Sequence, residues 1–319
     1  MSFRVEHTIF NGRSFIHLKN DEEFTATIIP SLGAMLHALK VNLDGKEFNL
    51  IDGDADGEIS SETAGKWFKG VKLSPWPCRI AGGRYNFKGE TFKLDKIFKD
   101  GSALHGLLFD EPFNQVDEFA DEMTAAVVVR HSYEGTDAGY PFPYNCEVKF
   151  ALHPGRLLEV ETTLLNLSDE EIPIADGWHP YFQLGGQVDE WELFFPAQAM
   201  VEFDGKLIPT GRLVPYKQFN ESKRVGGIMM DNCFLLRHHE YKPVCSLRNP
   251  LNRLSLHFYT SATYPYLQIF IPPHRKSIAI ENLSSPPDAF NNKMGLISLK
   301  PGNTQTFRVF YQVGVEENN

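Results

Sequence analysis

The feature that most constrains the fold is an alternation of apolar and polar side chains that recurs along the chain. In residues 146–152, apolar side chains occupy every second position. Because successive side chains of a strand point to opposite faces, this pattern predicts a half-buried β-strand. The turn residues His153-Pro154-Gly155-Arg156 follow, and the alternation resumes in residues 158–164. The stretch therefore predicts a β-hairpin.

Similar hairpin patterns are spread over the whole length. Turn residues separate strand-like segments at residues 43–46, 88–90 and 249–252, and residues 306–313 alternate again. No stretch sustains helical periodicity over three turns. The 25 Phe, 11 Tyr, 25 Gly and 20 Pro residues are typical of strands separated by turns. Without a linker or a shift in composition, the sequence predicts an all-β fold with very little helix, a large antiparallel β-sandwich forming a single domain over residues 1–319.

Charge and cysteine content narrow the class of protein. The 31 Lys and Arg against 41 Asp and Glu give a net charge of -10, which argues against nucleic acid or anionic membrane as a partner. No apolar run is long enough to cross a bilayer, and the N-terminus has no pattern of a secretory signal. Cys78, Cys146, Cys233 and Cys245 form no C-x-x-C pair. We expect buried, reduced thiols in a cytoplasmic protein.

Two segments, residues 52–72 and 95–115, do not fit a strand pattern. The first is rich in Gly, Asp, Glu and Ser and then carries Lys66, Lys69 and Lys72. Long loops in a compact domain are more often functional than idle, so both segments are candidates for the walls of a site.

His179 lies in the aromatic stretch Trp178-His179-Pro180-Tyr181. A lone histidine of this kind is ordinarily a core or surface residue. However, Pro180 cannot donate to a strand ladder, so this backbone is predicted to be a strand end or bulge, where side chains are often aimed into a cleft. Tyr181, two residues on, is predicted to face the same way as His179.

Glu281 is the candidate partner of His179. On a strand, Ile278 and Ile280 point to one side while Ala279 and Glu281 point to the other. A solvated carboxylate or a salt bridge is the ordinary interpretation, but a charge on an apolar strand is costly unless it is used or paired. Desolvation would raise its proton affinity towards that of a general base. A carboxylate meeting an imidazole suits proton transfer to a neutral polar substrate such as a sugar.

Arg79, His105 and Asp231 are weaker candidates for substrate binding. Arg79 lies between Pro and Gly turns that could fix its guanidinium, although each of the three residues also has an ordinary structural interpretation. The sequence has no metal-binding histidine spacing, no phosphate-cradling glycine loop and no dinucleotide fingerprint. We therefore predict no metal and no cofactor.

Six pieces of the sequence, taken in order, resemble the aldose 1-epimerase (galactose mutarotase) family. The resemblance extends from about Phe24 to the C-terminus. The pieces are residues 75–80 followed by 82–85, residues 104–106, residues 137–142, residues 179–182, Asp231, and the strand that ends in Glu281. No single piece is specific, but six in the family's order are.

The resemblance implies a galactose mutarotase-like fold of large antiparallel sheets (a supersandwich) with a cofactor-free site on a sheet face. In that family the histidine corresponding to His179 is the general acid, and the glutamate corresponding to Glu281 is the general base. Positions corresponding to Arg79, His105 and Asp231 hold sugar hydroxyls.

The resemblance also suggests Gln268 as a further wall residue, and it implies an isomerase that interconverts the α and β anomers of a free monosaccharide. Two alternatives stay open. A hexose-6-phosphate 1-epimerase would use the same acid and base, with Lys66, Lys69, Lys72 and Arg84 near Arg79 as a phosphate clamp. A non-catalytic sugar-binding module would need only the aromatic cleft.

Overall fold

The computed structural model of the chain describes residues 2–21, 23–55, 58–237 and 242–315, except the side chains of residues 61, 63 and 64. About 52% of the chain is strand and about 5% is helix. The predicted all-β sandwich with little helix is thus confirmed.

The strands within the described residues are numbered in chain order. They are β1 (Phe3–Phe10), β2 (Arg13–Asn20), β3 (Thr25–Ile29), β4 (Met35–Leu43), β5 (Lys46–Asn49), β6 (Lys72–Leu73), β7 (Arg79–Ile80), β8 (Arg84–Phe87), β9 (Glu90–Lys93), β10 (Ala103–Leu104), β11 (Asn114–Ala120), β12 (Ala125–Tyr133), β13 (Tyr144–His153), β14 (Leu157–Asn166), β15 (Ile172–Ile174), β16 (Gly177–Trp178), β17 (Tyr181–Phe182), β18 (Glu192–Phe194), β19 (Ala197–Phe203), β20 (Pro209–Pro215), β21 (Lys223–Arg224), β22 (Asp231–Leu236), β23 (Cys245–Asn249), β24 (Leu254–Thr260), β25 (Tyr266–Phe270), β26 (Ile278–Leu283), β27 (Ile297–Leu299) and β28 (Thr304–Val315).

Helical structure in the described residues is short. It comprises α1 (Ser61–Trp67), α2 (Ala289–Asn292) and two 3₁₀ turns, Ala81–Gly83 and Val188–Glu190. None of these helices is long and apolar enough to cross a membrane.

Two large sheets form the body of the described chain. The first has nine strands in the order β11-β12-β13-β14-β28-β24-β23-β18-β21. The second, which we call the eight-stranded sheet, has the order β20-β19-β22-β25-β26-β16-β6, with β17 also paired to β26. Strands β1 to β5 form a separate five-stranded sheet, and three two-stranded ribbons complete the described pairings.

The core lies between the two large sheets. Phe182 of β17 packs against Phe258 of β24 and Tyr311 of β28, at centroid distances of 5.0 and 5.4 Å. Ile278 and Ile280 of β26 belong to the same buried cluster. Since side chains alternate along β26, its other face is free to carry polar groups.

Each predicted hairpin is present with the expected turn. Strands β4 and β5 flank residues 44–45, β8 and β9 flank residues 88–89, β13 and β14 flank residues 154–156, and β23 and β24 flank residues 250–253. The alternating C-terminal segment is β28. Of the two segments that did not fit a strand pattern, residues 52–72 contain α1 and residues 95–115 contain β10; residues 56 and 57 lie outside the described residues.

Candidate active site

Glu281 projects from the face of β26 that is turned away from the sandwich core. Gln268 of β25 lies directly opposite Glu281, and Cys233 of β22 lies opposite Gln268. Residues directly opposite each other in an antiparallel pair share a face. Glu281, Gln268 and Cys233 therefore form one row across the sheet, and Glu281 is only 2% exposed.

A second row lies two residues along the same face. Asp231 of β22 is opposite Phe270 of β25, which is opposite Ala279 of β26. Ala279 is in turn opposite Tyr181 of β17. The small Ala279 side chain leaves space beside Glu281 in the middle of the sheet. The expectation that Ala279 and Glu281 share one side of the strand agrees with this register.

His179 reaches the same face from the irregular link between β16 and β17. Its backbone N–H donates to Val71 O at 3.3 Å, and its backbone oxygen accepts from Gly70 N at 2.9 Å. Pro180, which lacks an N–H, separates two short strands that both pair with β26. The predicted break in the strand is therefore present, and it directs His179 towards Glu281.

The two side chains converge inside the protein. His179 Nε2 lies 3.4 Å from Glu281 Oε1. His179 is 6% exposed. Within the described part of the chain, no group hydrogen-bonds to His179 Nδ1 or to Glu281 Oε2, although both atoms are buried. Each unpaired buried polar atom in a protein calls for an explanation, and a catalytic role is one of them.

Burial shifts both acid–base equilibria towards the neutral forms. Desolvation lowers the pKa of His179 to about 4. Desolvation, helped by the nearby charge of Asp231, raises the pKa of Glu281 well above its ordinary value. When the pair holds one proton, burial therefore favours that proton on Glu281 over His179.

His105 is held in one tautomer. It lies just after β10 with a left-handed φ of 58°, and its Nδ1 accepts a hydrogen bond from Cys78 N at 3.2 Å. The backbone N–H of His105 donates to Cys78 O at 2.7 Å. Burial and the neighbouring His179 and Arg79 keep its pKa well below the usual value, so the ring is neutral. A neutral ring that accepts at Nδ1 carries its proton on Nε2 and acts there as a donor.

Among the described residues, His105, His179 and Glu281 also form a group whose possible metal-ligand atoms all lie within 4.8 Å of one another. A histidine binds a metal ion through a free lone pair on one ring nitrogen. Both nitrogens of His105 are committed, since Nδ1 accepts the Cys78 N–H and Nε2 carries the proton. This donor set therefore fits a polar substrate better than it fits a metal ion.

Arg79, Asp231 and Gln268 bring further polar groups to the cleft. Arg79 Nη1 is paired with Asp100 on the exposed side. Gln268 Nε2 donates to Asp231 Oδ1 at 2.8 Å. Desolvation raises the pKa of Asp231, while Arg79 and the hydrogen bond from Gln268 oppose that shift. The fixed guanidinium and the carboxylate can hold opposite ends of an array of hydroxyl groups.

All seven predicted site residues line one cleft. The residues are Arg79, His105, His179, Tyr181, Asp231, Gln268 and Glu281. The sequence therefore predicted residues that the fold does bring together.

Further residues of the cavity, apart from Lys66, were not singled out from the sequence. Lys66, Trp67 and Phe68 contribute from the end of α1 and the residue after it, and Phe203 and Leu207 contribute from the link between β19 and β20. The aromatic pair in residues 52–72 was the only available signal, because no periodicity marks these positions.

The proposed phosphate clamp is wrong for three of its four residues. Lys72 is fully buried, and its Nζ pairs with Asp176 Oδ1 at 2.5 Å. Lys69 is paired with Asp52 and Asp54 at 3.2 and 3.3 Å. Arg84 is exposed and does not line the cavity.

The remaining clamp residue, Lys66, lines the cavity and is exposed. The predicted state of the thiols agrees with the structure, because the four cysteines are buried and free of disulfide bonds.

Comparison with known proteins identifies the relatives of this chain. Residues 14–312 match the family described as aldose 1-epimerase. A protein of Escherichia coli K12, YihR, described as uncharacterized, is 26% identical over 249 residues, which cover 76% of this chain and 78% of YihR.

Solved structures share the fold. A galactose mutarotase-like protein from Clostridium acetobutylicum superimposes with a TM-score of 0.87 at 18% identity, covering 99% of each chain. Galactose 1-epimerase from Lactobacillus acidophilus superimposes with a TM-score of 0.83 at 18% identity, covering 99% of this chain and 100% of that one. A GalM/aldose epimerase homologue from Caenorhabditis elegans gives 0.81 at 21% identity, covering 95% and 99%.

Proposed function

Because the chain belongs to the aldose 1-epimerase family and is thus a sugar epimerase, we propose that it interconverts the α and β anomers of a free aldose. The observation that carries this proposal is the approach of His179 Nε2 to 3.4 Å from Glu281 Oε1, with a buried atom of each side chain left unpartnered among the described residues. A pyranose ring has its C1 hydroxyl and ring oxygen side by side, so it presents both proton-transfer sites to such a pair.

Ring opening requires one proton to be removed and one to be supplied. Ionised Glu281 takes the proton of the C1 hydroxyl while protonated His179 gives its proton to the ring oxygen O5. The C1–O5 bond breaks and the C1–O1 bond becomes a carbonyl. The aldehyde rotates about C1–C2, and closure reverses both transfers on the other face of C1.

The pair therefore carries one proton through the whole cycle. The open-chain aldehyde coexists with protonated Glu281 and neutral His179, which is also the distribution that burial favours. Hydroxyl groups of the bound sugar that donate to Glu281 stabilise its ionised form before ring opening. Bound sugar thus supplies the hydrogen bonds that the buried pair lacks.

The other polar residues hold the sugar. His105 Nε2 donates to a sugar oxygen, because its Nδ1 is occupied by the Cys78 N–H. Arg79 donates from the exposed end of the cleft, and Asp231, fixed by Gln268, accepts from hydroxyl groups. Tyr181 stacks on His179 at 5.0 Å and forms part of the wall.

A neutral aldose suits this cleft better than a sugar phosphate. Recognition of a phosphate dianion depends on charge-assisted hydrogen bonds from several cations. Arg79 is already paired with Asp100, and Lys66 is the remaining candidate of the proposed clamp that lines the cavity. The four buried, free thiols support placement of this activity in a reducing compartment such as the cytoplasm.

Polarimetry of freshly dissolved anomers tests the proposal. We expect the protein to accelerate mutarotation of α-D-glucose or α-D-galactose far above the buffer rate, and to act much more slowly on glucose 6-phosphate. Acceleration of the phosphate alone would favour the hexose-6-phosphate 1-epimerase. Calorimetric binding of sugar without acceleration would favour a binding module and contradict the proposal.

A further inference from the structure

Phe68 occupies an unusual position at the wall of the cleft. It follows α1 directly, is 7% exposed, and has a backbone φ of 55°. A left-handed φ is a genuine outlier for a bulky residue and persists only where the surroundings hold it. Its ring centroid lies 4.4 Å from that of His105 and 6.2 Å from that of His179.

The turn that carries Phe68 is tied to the backbone of His179. Gly70 N donates to His179 O at 2.9 Å, and His179 N donates to Val71 O at 3.3 Å. A Cβ atom at Gly70 would lie 2.3 Å from Leu36 O, so only glycine fits there. The position of the Phe68 ring relative to His179 is thus fixed by main-chain contacts.

Three aromatic neighbours surround the His179 imidazole. Tyr181 lies nearly parallel to it at 5.0 Å and 16°, Phe68 at 6.2 Å and 29°, and His105 meets it edge-on at 5.0 Å. Tyr181 and His105 are already assigned to sugar binding. Phe68 has no polar atom, and it is the ring that packs against both imidazoles.

We propose that Phe68 is a positioning residue, whose ring holds the imidazoles of His105 and His179 in their working orientation and shields both from water. The inference rests on the proposed function, because it takes His179 to be the proton donor of the reaction.

The electrostatic surroundings of His179 limit what else could set its protonation. The facing groups are Glu281 on β26, His105 after β10 and Tyr181 on β17, with Arg79 next to His105 and Asp231 next to Glu281. The lowered pKa of His179 has burial as its first cause. Removing an apolar ring that excludes water should therefore raise this pKa towards its ordinary value of 6.5.

The test compares Phe68→Asn with Phe98→Asn. Asparagine tolerates a left-handed φ, so F68N keeps the turn while bringing a polar group to the imidazoles. Phe98 packs on Phe68 at 5.8 Å and on Phe109 at 6.3 Å, in the same aromatic cluster but without a ring contact to either histidine. Phe68→Tyr keeps the ring and serves as the conservative variant.

Two readouts are needed, a histidine-labelled NMR titration assigned with His179→Asn, and kcat/KM for mutarotation against pH. In F68N we expect the His179 titration midpoint to rise by about one pH unit or more, with the acidic limb of kcat/KM moving in the same direction. F98N and F68Y should keep the wild-type midpoint.

An unchanged midpoint in F68N, or an equal shift in F98N, overturns the inference even if activity falls, because a merely structural role moves activity alone. Should F68N not fold, Phe68→Gly, which also tolerates the left-handed φ and removes the ring, should show the same midpoint shift, and an unchanged midpoint in that variant overturns the inference. An inactive wild-type protein contradicts the proposed function instead, and the NMR titration still reports on Phe68.

Discussion

Two buried pairs of ionisable side chains lie close to β16 in the eight-stranded sheet, and they are partnered very differently. Asp176 Oδ1 accepts from Lys72 Nζ and from Tyr264 OH, both at 2.5 Å. Lys72 also donates to Gly177 O at 3.0 Å and lies 4.7 Å from the ring of Trp178. Asp176 Oδ2 has no partner among the described residues, so the first pair is supported through Oδ1 alone. In the second pair His179 Nε2 and Glu281 Oε1 are 3.4 Å apart, and within the described residues no hydrogen bond reaches His179 Nδ1 or Glu281 Oε2.

The surroundings of the two carboxyl groups indicate that one pair is structural and the other is catalytic. Burial raises the pKa of both carboxyl groups, but Lys72 and Tyr264 oppose the shift at Asp176, whereas Asp231 adds to the shift at Glu281. A buried pair whose charges are met by several partners is structural. A buried pair left short of partners is prepared to exchange protons with a ligand.

Removing the carboxylate at Glu281 should give the largest functional effect. We expect Glu281→Gln to lower the mutarotation rate by about 10²–10⁴-fold, because the base is lost. Polarimetry measures the loss, and Glu90→Gln on the exposed strand β9 is the control. Retention of more than a tenth of the wild-type rate by E281Q would remove Glu281 from the mechanism.

Breaking the structural pair should instead lower stability. We expect Asp176→Asn to reduce the free energy of unfolding by about 3–5 kcal/mol, because Lys72 is left as an unpaired buried cation. Urea unfolding measures the loss, and replacing both partners, as in Lys72→Met with Asp176→Leu, should recover most of it. A D176N variant as stable as wild type would contradict the structural role of the Lys72–Asp176 pair.

The contact of Arg79 with substrate should have a smaller effect. We expect Arg79→Ala to raise KM by about 10- to 100-fold, since a hydrogen bond to a charged group contributes about 1.5–3 kcal/mol. Arg84 is exposed and does not line the cleft, so Arg84→Ala is the matched control. A fall in kcat at constant KM would instead place Arg79 in the chemical step.

The two shifted pKa values should make the free energy of unfolding depend on pH in opposite directions. His179 titrates near 6.5 when unfolded and near 4 when folded, so the folded state binds fewer protons between these values. The unfolding free energy of wild type relative to His179→Asn should therefore fall as the pH drops from 6.5 to 4.

Glu281 has a raised pKa when folded, so its folded state binds more protons above pH 4.5. Wild type should lose stability relative to Glu281→Gln as the pH rises from there. Urea unfolding of the three proteins across pH gives both slopes, and parallel curves would mean that neither group is desolvated.

The local sequence predicted much of this molecule. Alternation and turn residues were sufficient for the hairpin of β13 and β14, because strand faces and tight turns are determined by neighbouring residues. The same reasoning gave the orientation of Glu281 on β26. Resemblance to the family supplied the roles of Arg79, His105, Asp231 and Gln268, which local patterns left open.

Long-range partners could not be predicted in this way. Lys72 and Asp176 are 104 positions apart, and nothing near Lys72 distinguishes a buried cation from a solvated one. The left-handed backbone of Phe68 and the tautomer of His105 depend on contacts with the β16–β17 link and with Cys78. Such features are set by tertiary structure, which overrides local preference.

One polarimetric series tests the central claim most directly, that His179 and Glu281 act as a single proton-transfer unit. It compares wild type, His179→Asn, Glu281→Gln and the double variant on one freshly dissolved α-anomer. Residues that act as a unit are strongly non-additive, so the double variant should be no slower than the slower single variant. Losses that multiply in the double variant, or a single variant with the wild-type rate, would contradict the account.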